Sequence, residues 1–484
     1  MKKIISLLLL GIALVFMAAW GGQVDYYEEY DYDYGADEVT EGYTSEPEDA
    51  VLDFEPSIPL DAAAGLFAQV QAIWDEDDGE LFGLRLDAPL MIADPLTRHA
   101  VTNRPPVAAT AGFQRQGNVY VGILPDNVFI SHTAQVFAGR TWGMVSWQPD
   151  FYEILADGYR DALILMLHEA FHAIQNPQVV RGGWLPNIDQ SLDFMNHSAD
   201  ARIAVLMEIK ALATALRTQG GERMAAIHDA LSIREHRRNA HPQAARNENA
   251  QEINEGLASF TEFLVFEDID EFLARYEAMI LERMETTGLN TIFPYFTGAM
   301  YALLLRDTGT EWWQNLTFAT DLGGLLKEAL GIETTPFDQL DLELWGYWEI
   351  APGQRAWVEE FIIMQQAAEV FVRGDRMTIT GDNFIEDTIH VESFWVAGGP
   401  LGRFLVFYGQ FVSASPNWRL YTNNGFISPE FYPNAGLSVK CYDNLYISED
   451  GLTVTAPTWT LEVTNPYYEA QLNLWGNITI RERQ

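Results

Sequence analysis

Residues 162–174 read Ala-Leu-Ile-Leu-Met-Leu-His-Glu-Ala-Phe-His-Ala-Ile. Their nearly unbroken apolar run predicts a helix that passes through a hydrophobic core. His168 and His172 stand four residues apart, so both imidazoles project from one face of that helix. Imidazole and carboxylate groups are costly to bury alone. A bound metal ion would explain why they stand in such a helix.

The five residues from His168 to His172 form the pattern His-Glu-x-x-His. Two imidazoles at this spacing reach one tetrahedral zinc ion, Zn²⁺, and Glu169 between them is placed to deprotonate the attacking water. Only three of the positions are specified, so the pattern also arises by chance in buried helices. A catalytic zinc site needs a third protein ligand, and the residues downstream of the motif offer candidates.

A second stretch, residues 254–258, reads Asn-Glu-Gly-Leu-Ala. With the first motif it resembles the gluzincin metallopeptidases, and it is similar to the Asn-Glu-Gly-Phe-Ala of the aminopeptidase N family. The resemblance implies that Glu255 is the third zinc ligand. Glu252 and Glu248, three and seven residues earlier, are competitors for that role. Glu262, seven residues later, is a candidate partner of a ligand histidine.

A third segment, residues 294–299, reads Pro-Tyr-Phe-Thr-Gly-Ala and is similar to the Tyr-x-x-Gly segment of the same family. The resemblance implies that the Tyr295 hydroxyl stabilises the oxyanion of the reaction. Without the other motifs, Tyr295 would be read as a packing residue. More broadly, residues from about 80 to 265 resemble a group of uncharacterised bacterial secreted proteins and lipoproteins that carry the first two motifs.

The chain also departs from the aminopeptidase pattern. A gap of 83 residues separates His172 from Glu255, which is much longer than in that family. Helical periodicity from Ala201 to Leu216 and from Glu222 to Ala240 predicts a hairpin that returns the chain to its start. The Gly-x-Met-Glu-Asn segment that holds a free amino terminus in aminopeptidases is missing from the sequence. Endopeptidase and exopeptidase activity therefore both stay open.

The second of these helices is rich in charge and is expected to be solvated. Its arginines predict a local basic face on an otherwise acidic protein. They are Arg234, Arg237 and Arg238.

The amino terminus predicts export. Residues 1–22 combine a short basic start with an apolar run of signal-peptide length. The end of this run resembles a bacterial lipobox with Trp20 at the position of the lipidated cysteine. Residues 23–57 contain thirteen acidic residues and no basic one, which predicts a disordered tether. We therefore expect an extracellular protein, or one on the outer face of the bacterial membrane, with membrane contact only through an N-terminal anchor.

Charge and cysteine content restrict the function further. The formal net charge of −40 argues against binding to nucleic acid, whose phosphates would be repelled. The single cysteine, Cys441, excludes an intrachain disulfide. An exported protein of this kind depends on its hydrophobic core and on any metal that it binds.

The predicted fold class is α+β with a zincin-like, mainly helical core. Residues 58–150 are predicted as an α+β lobe, with a helix from Ala62 to Trp74 and strands at 118–124 and 142–147. In zincins a small sheet lies above the metal helix, and its edge strand pairs with the substrate backbone. Residues 58–150 would either supply that sheet or form a structural lobe only. Residues 151–375 are predicted as the helical lobe that holds every motif. Residues 376–484 predict a β-sandwich-like domain.

These observations predict a secreted or surface-tethered zinc metallopeptidase that acts on peptides or proteins. His168, His172 and Glu255 would hold Zn²⁺, Glu169 would be the general base, and Tyr295 would bind the oxyanion. The alternatives are a non-peptidase zinc hydrolase on the same scaffold and a surface binding protein with a degenerate metal site. The oligomeric state is not predicted.

Overall fold

A computed structural model describes residues 52, 54–147, 160–175, 179–181, 191–286 and 288–373, together with strands and a few adjoining residues between 376 and 482. The predicted signal peptide and most of the predicted tether lie outside the described residues. The protein is mixed α+β and divides into two compact units. Of the described residues, the first unit contains those up to 191 with 208–276 and 294–340, and the second contains 192–207, 277–293 and those from 341 onward.

The first unit contains a small six-stranded sheet in the order β3-β4-β2-β1-β6-β5. Strands β1 and β6 pair in parallel, and the other neighbours are antiparallel. The terminal strands of the described sheet are therefore β3 and β5. The strands are β1 Leu90–Ala93, β2 His99–Thr102, β3 Gln114–Gln116, β4 Val119–Ile123, β5 Thr133–Phe137 and β6 Arg140–Ser146.

Outside this sheet, helices make up most of the described residues up to 373. They are α1 Leu60–Asp77, α2 Arg160–Ile174, α3 Ala199–Arg217, α4 Gly220–Ala240, α5 Ala245–Gln251, α6 Leu257–Glu262, α7 Ile269–Arg283, α8 Leu289–Arg306, α9 Leu322–Leu330 and α10 Tyr347–Arg373. A π-helical turn at Glu252–Gly256, here called the π turn, joins α5 to α6. Among the described helices, none is long and apolar enough to cross a membrane.

Helix α2 carries the His-Glu-x-x-His motif through the core of the first unit. Alanine, leucine and methionine are strong helix formers, and Asp161 in the first turn suits the positive end of the helix dipole. Nearly every side chain from Ala162 to Ile174 is buried. The helix lies directly against β6, because a Cβ added to Gly143 would stand 2.6 Å from the Ala170 Cα atom. The missing side chain of Gly143 thus lets the sheet approach the motif.

An aromatic cluster joins α2 to the helix that follows the π turn. The Phe82 ring stacks on Phe171 of α2 at 5.2 Å and meets Phe260 of α6 edge-on at 5.5 Å. Trp312 packs against the same ring at 6.1 Å. Large aromatic side chains contribute strongly to a core because each buries a large apolar area. The cluster therefore holds the two motif-bearing segments side by side.

Helix α8 crosses the π turn at a contact between two glycines. A Cβ on Gly256 would lie 2.5 Å from the Gly298 Cα atom, and a Cβ on Gly298 would lie 2.7 Å from the Glu252 carbonyl oxygen. Both positions therefore need glycine for the backbones to meet. The contact brings the Tyr-x-x-Gly segment to the turn that carries Glu255.

The second unit contains α10 and the carboxyl-terminal strands. These strands form one ten-stranded sheet in which β16 pairs with β7 in parallel. They are β7 Arg376–Gly381, β8 Ser393–Gly399, β9 Gly402–Ser415, β10 Trp418–Glu430, β11 Gly436–Lys440, β12 Tyr446–Ile447, β13 Thr453–Ala456, β14 Trp459–Val463, β15 Tyr468–Leu472 and β16 Ile478–Glu482. The region is β-rich as predicted from its sequence, and the sandwich arrangement stays a prediction.

Several predicted elements are confirmed. The helix predicted at 62–74 is α1, and the helical hairpin predicted in the long gap is formed by α3 and α4. The strands predicted at 118–124 and 142–147 correspond to β4 and β6. Local periodicity was sufficient for α1 and α4 because each of these helices exposes one face and buries the other.

Replacing Gly143 by alanine should destabilise the first unit. The new Cβ would overlap the backbone of α2, so strand and helix must separate, at a cost of about 1–3 kcal/mol in the free energy of unfolding. Denaturant titration would measure it. Gly65→Ala is the matched control, since Gly65 lies in α1 with no atom within 4 Å of an added Cβ. That change should be neutral or stabilising, and an equal loss in both variants would contradict the close approach.

Candidate metal centre

The structure brings together His168 and His172 with Glu255, the third ligand that the resemblance to gluzincins implies. The Nε2 atoms of His168 and His172 are 3.1 Å apart. The Oε2 atom of Glu255 lies 3.2 Å from the first and 3.4 Å from the second. Within the described part of the chain, these are the His, Cys, Asp and Glu side chains that cluster closely enough to hold a metal ion.

The triangle has the dimensions that a zinc ion requires. In a tetrahedral site, ligand atoms about 2.0–2.1 Å from zinc lie about 3.3 Å from one another. The observed separations of 3.1, 3.2 and 3.4 Å bracket that value. Two imidazole nitrogens and one carboxylate oxygen are also a common donor set for catalytic zinc. The residues present therefore fit the metal in both geometry and chemistry.

Outer partners orient both imidazoles. The Nδ1 atom of His168 lies 2.7 Å from Glu262 Oε1, and the Nδ1 atom of His172 lies 3.3 Å from Gln175 Oε1. Since carboxylate and carbonyl oxygens only accept hydrogen bonds, each Nδ1 carries the proton. The lone pairs of the two Nε2 atoms then face each other and repel. A cation between them, whether a metal ion or a proton, removes this repulsion.

The three groups perturb one another electrostatically. Burial lowers the pKa of His168, but the carboxylates of Glu255 and Glu262 outweigh it and raise that pKa well above its ordinary value. Burial raises the pKa of Glu255, but His172 and His168 reverse the effect and lower it strongly. The cluster thus favours positive charge at its centre. Metal and proton compete for this position, so metal binding would release a proton.

Glu169 lies beside the cluster and has a different environment. Its side chain is 6% exposed. Burial raises the pKa of Glu169 to about 7, although His168 and His172 act in the opposite direction. A carboxylate that titrates near neutrality is suited to both accepting and donating a proton.

Tyr295 lies next to the first histidine. Its ring stacks on the His168 imidazole with centroids 5.7 Å apart and planes 10° from parallel. Burial, reinforced by the charge of Glu255, raises the pKa of the Tyr295 hydroxyl well above 10. The hydroxyl therefore stays protonated and is a hydrogen-bond donor at the edge of the site.

The structure separates the three glutamates that competed for the ligand position. Glu248 and Glu252 do not lie with the histidines. The Arg234 guanidinium donates to both oxygens of Glu252, at 2.7 and 2.5 Å, and Arg238 Nε donates to Glu248 at 2.9 Å. Of the three glutamates, Glu255 alone lies with the histidines.

These contacts belong to a buried ionic cluster, here called the arginine network. Its members come from α3, α4, α5, the π turn and the loop before α9. They are Glu208, Arg234, Arg237, Arg238, Glu248, Glu252 and Asp321. The prediction of a solvated basic face on α4 is wrong, because Arg234 and Arg237 are 3% and 1% exposed. Pairing with carboxylates across helices offsets the cost of burying them.

The π turn explains how Glu252 and Glu255 reach different partners. In an α-helix, residues three apart differ by only about 60° around the axis and point to nearly the same side. The wider π turn increases that angle and separates the two carboxylates. Glu252 joins the arginine network and accepts a hydrogen bond from Thr297 at 2.7 Å, while Glu255 lies with the histidines.

Two residues that support the candidate metal ligands, Tyr276 and Gln175, are not among those predicted from the sequence. The Tyr276 hydroxyl donates to Glu262 Oε2 at 2.9 Å and so extends the chain of contacts from His168. Gln175 contacts His172. Its spacing of three residues from His172 was a usable signal, since it lies one turn further along the same face. Tyr276 had no such signal, because it comes from a separate helix.

Comparisons of this chain with protein-family models, curated proteins and solved structures found no match.

Removing the Arg234 side chain should destabilise the fold strongly. Arg234→Met leaves Glu252 buried without its bidentate partner, and breaking a buried ion pair in this way costs about 3–5 kcal/mol in the free energy of unfolding. Arg85→Met is the control, since Arg85 pairs with Asp75 at the surface and should be dispensable. Denaturant unfolding that gave the same small change for both variants would contradict a stabilising role for the network.

Proposed function

We propose that this protein is a zinc-dependent metallopeptidase, secreted or held at the bacterial cell surface. The observation that carries the proposal is the triangle of Nε2, Nε2 and Oε2 atoms at tetrahedral spacing, with Glu169 and Tyr295 beside it. The metal would be held by His168, His172 and Glu255. A catalytic zinc site uses three protein ligands and leaves the fourth position to water or substrate.

Zinc supplies Lewis acidity to the substrate carbonyl and to the attacking water. Side chains of the protein carry out proton transfer, bind the oxyanion and orient the ligands. Glu169 takes the proton of the attacking water and passes it to the leaving amine. Tyr295 donates a hydrogen bond to the oxyanion that develops on the carbonyl carbon. Glu262 and Gln175 keep the two imidazoles in the tautomer that binds metal.

A peptide is the substrate that best suits the surroundings of the site. Strand β5 is a terminal strand of the described sheet and pairs only on its β6 side. Its neighbour β6 lies against α2 beside Glu169. An extended peptide can add to such an edge through main-chain hydrogen bonds. This arrangement favours peptide hydrolysis over a non-peptidase reaction on the same scaffold.

The proposed location rests on the sequence of residues 1–57. A signal-like segment followed by an acidic spacer suits a protein that works outside the membrane. With a net charge of −40, the protein should prefer neutral or basic peptides over acidic ones.

The metal site can be tested by zinc analysis of the purified chain. We expect one zinc per chain in the wild type. Glu255→Ala should weaken zinc binding by more than the roughly 10–100-fold that loss of an outer partner costs. Glu328→Gln, an exposed change in α9, should bind as the wild type does. A wild-type chain that bound no zinc after metal reconstitution would exclude the proposal and favour a binding protein with a degenerate site.

The catalytic base can be tested separately from the metal. Glu169→Gln removes the proton acceptor but no ligand, so we expect full zinc content and a kcat lower by about 10²–10⁴-fold. Activity would be measured on a peptide library, with Glu328→Gln as the control. Full activity in the Glu169 variant would show that another group is the base. Hydrolysis of esters or amides without peptide cleavage would instead support a non-peptidase hydrolase.

A further inference from the structure

Gln175 links the two segments that carry the three proposed ligands. It follows the last residue of α2, and its side chain is 3% exposed. Its Oε1 atom lies 3.3 Å from His172 Nδ1. Its Nε2 atom donates to the carbonyl oxygens of Ile253 and Asn254 in the π turn, at 2.6 and 3.2 Å. One carboxamide therefore contacts a ligand histidine and the backbone immediately before Glu255.

The contact between Gln175 and Ile253 satisfies a backbone carbonyl that the π turn leaves without its usual hydrogen-bond donor. In a regular helix the Leu257 N–H would donate to the Ile253 carbonyl, four residues earlier. Here the Leu257 N–H donates to the Glu252 carbonyl instead, which is the longer π-type bond. The Ile253 carbonyl would lose its usual donor, and an unsatisfied buried carbonyl is costly. The Gln175 amide replaces that donor.

The orientation of Glu255 depends on this turn. The π geometry directs Glu255 away from the arginine network that holds Glu252. Asn254, whose carbonyl also accepts from Gln175, donates through its own Nδ2 to Glu255 Oε1 at 2.8 Å. The amide of Gln175 thus supports the backbone on which the third ligand and its partner stand.

We infer that Gln175 is a positioning residue that holds the π turn in the geometry that lets Glu255 reach the metal. The inference rests on the proposed function, because it concerns the same site. Gln175 acts through Glu255 and not only through His172. Outer partners of metal ligands typically change metal affinity by about 10–100-fold when they are lost.

Gln175→Glu is the decisive variant. It has nearly the same size and keeps an acceptor for His172 Nδ1–H, but it loses the donor to Ile253 and Asn254. Its added negative charge would by itself attract Zn²⁺, so simple electrostatics predicts tighter binding. The inference predicts the opposite, a zinc affinity about 10–100-fold weaker, measured by competition with a chromogenic chelator.

A double-mutant cycle separates positioning from a general loss of structure. In the Glu255→Ala background the π turn no longer presents a ligand, so Gln175→Glu should change zinc affinity by no more than about threefold. An equal loss in both backgrounds would overturn the inference, because Gln175 would then act through His172 or through the fold.

Gln354→Glu is the matched control. Gln354 is also buried, donates through Nε2 to the Met284 carbonyl at 3.0 Å and accepts from Arg202 through Oε1. The change removes the same kind of donor within the second unit, so zinc affinity should equal that of the wild type. If the wild type binds zinc and the Gln175→Glu variant binds it equally well, the inference is overturned and the proposed function is not. A wild type that binds no zinc would overturn the proposed function, and the inference with it.

Discussion

Two carboxylates in the segment from α5 to α6 stand three residues apart, but their partners lie on different sides of that segment. Glu252 is paired with Arg234, and Glu255 lies with His168 and His172. A regular helix would direct both to nearly the same side. The π turn satisfies both demands, and the close approach of Gly298 and the amide of Gln175 hold it in place. The proposed metal centre and the buried ionic interior therefore depend on the same five residues.

The arginine network removes charges of both signs from the surface of the first unit. The protein has 29 basic and 69 acidic residues, and three of its arginines pair with carboxylates inside this unit. Arg234 and Arg237 are buried together with the carboxylates of Glu208, Glu248 and Glu252. Because these carboxylates outnumber the two arginines, their burial leaves the acidic excess of the protein almost unchanged. The expectation that substrates are neutral or basic rests on the composition of the sequence.

The first unit combines a stiff support with a polar site. The aromatic rings around Phe82 join α2 to α6, and Gly143 lets the sheet rest on α2. The side chains that we propose as catalytic would need such support, because small displacements of a positioned group cost much of its effect. Two directional hydrogen bonds add to this packing: the Tyr276 hydroxyl contacts Glu262, and Glu262 contacts His168. Packing and hydrogen bonding thus limit the movement of the same imidazole.

The sequence alone predicts the helix of His168 and His172 from its apolar run, and the helical hairpin in the long gap from its local periodicity. It also narrowed the third ligand to Glu248, Glu252 or Glu255, although only the resemblance to gluzincins favoured the last. The tertiary structure decided which of the three lies with the histidines. It also shows that Arg234 and Arg237 of α4 are buried, contrary to the solvated basic face that the sequence predicts. The physical reason is that the partner of a carboxylate or a guanidinium lies across a helix contact, and no spacing along one chain segment specifies that contact.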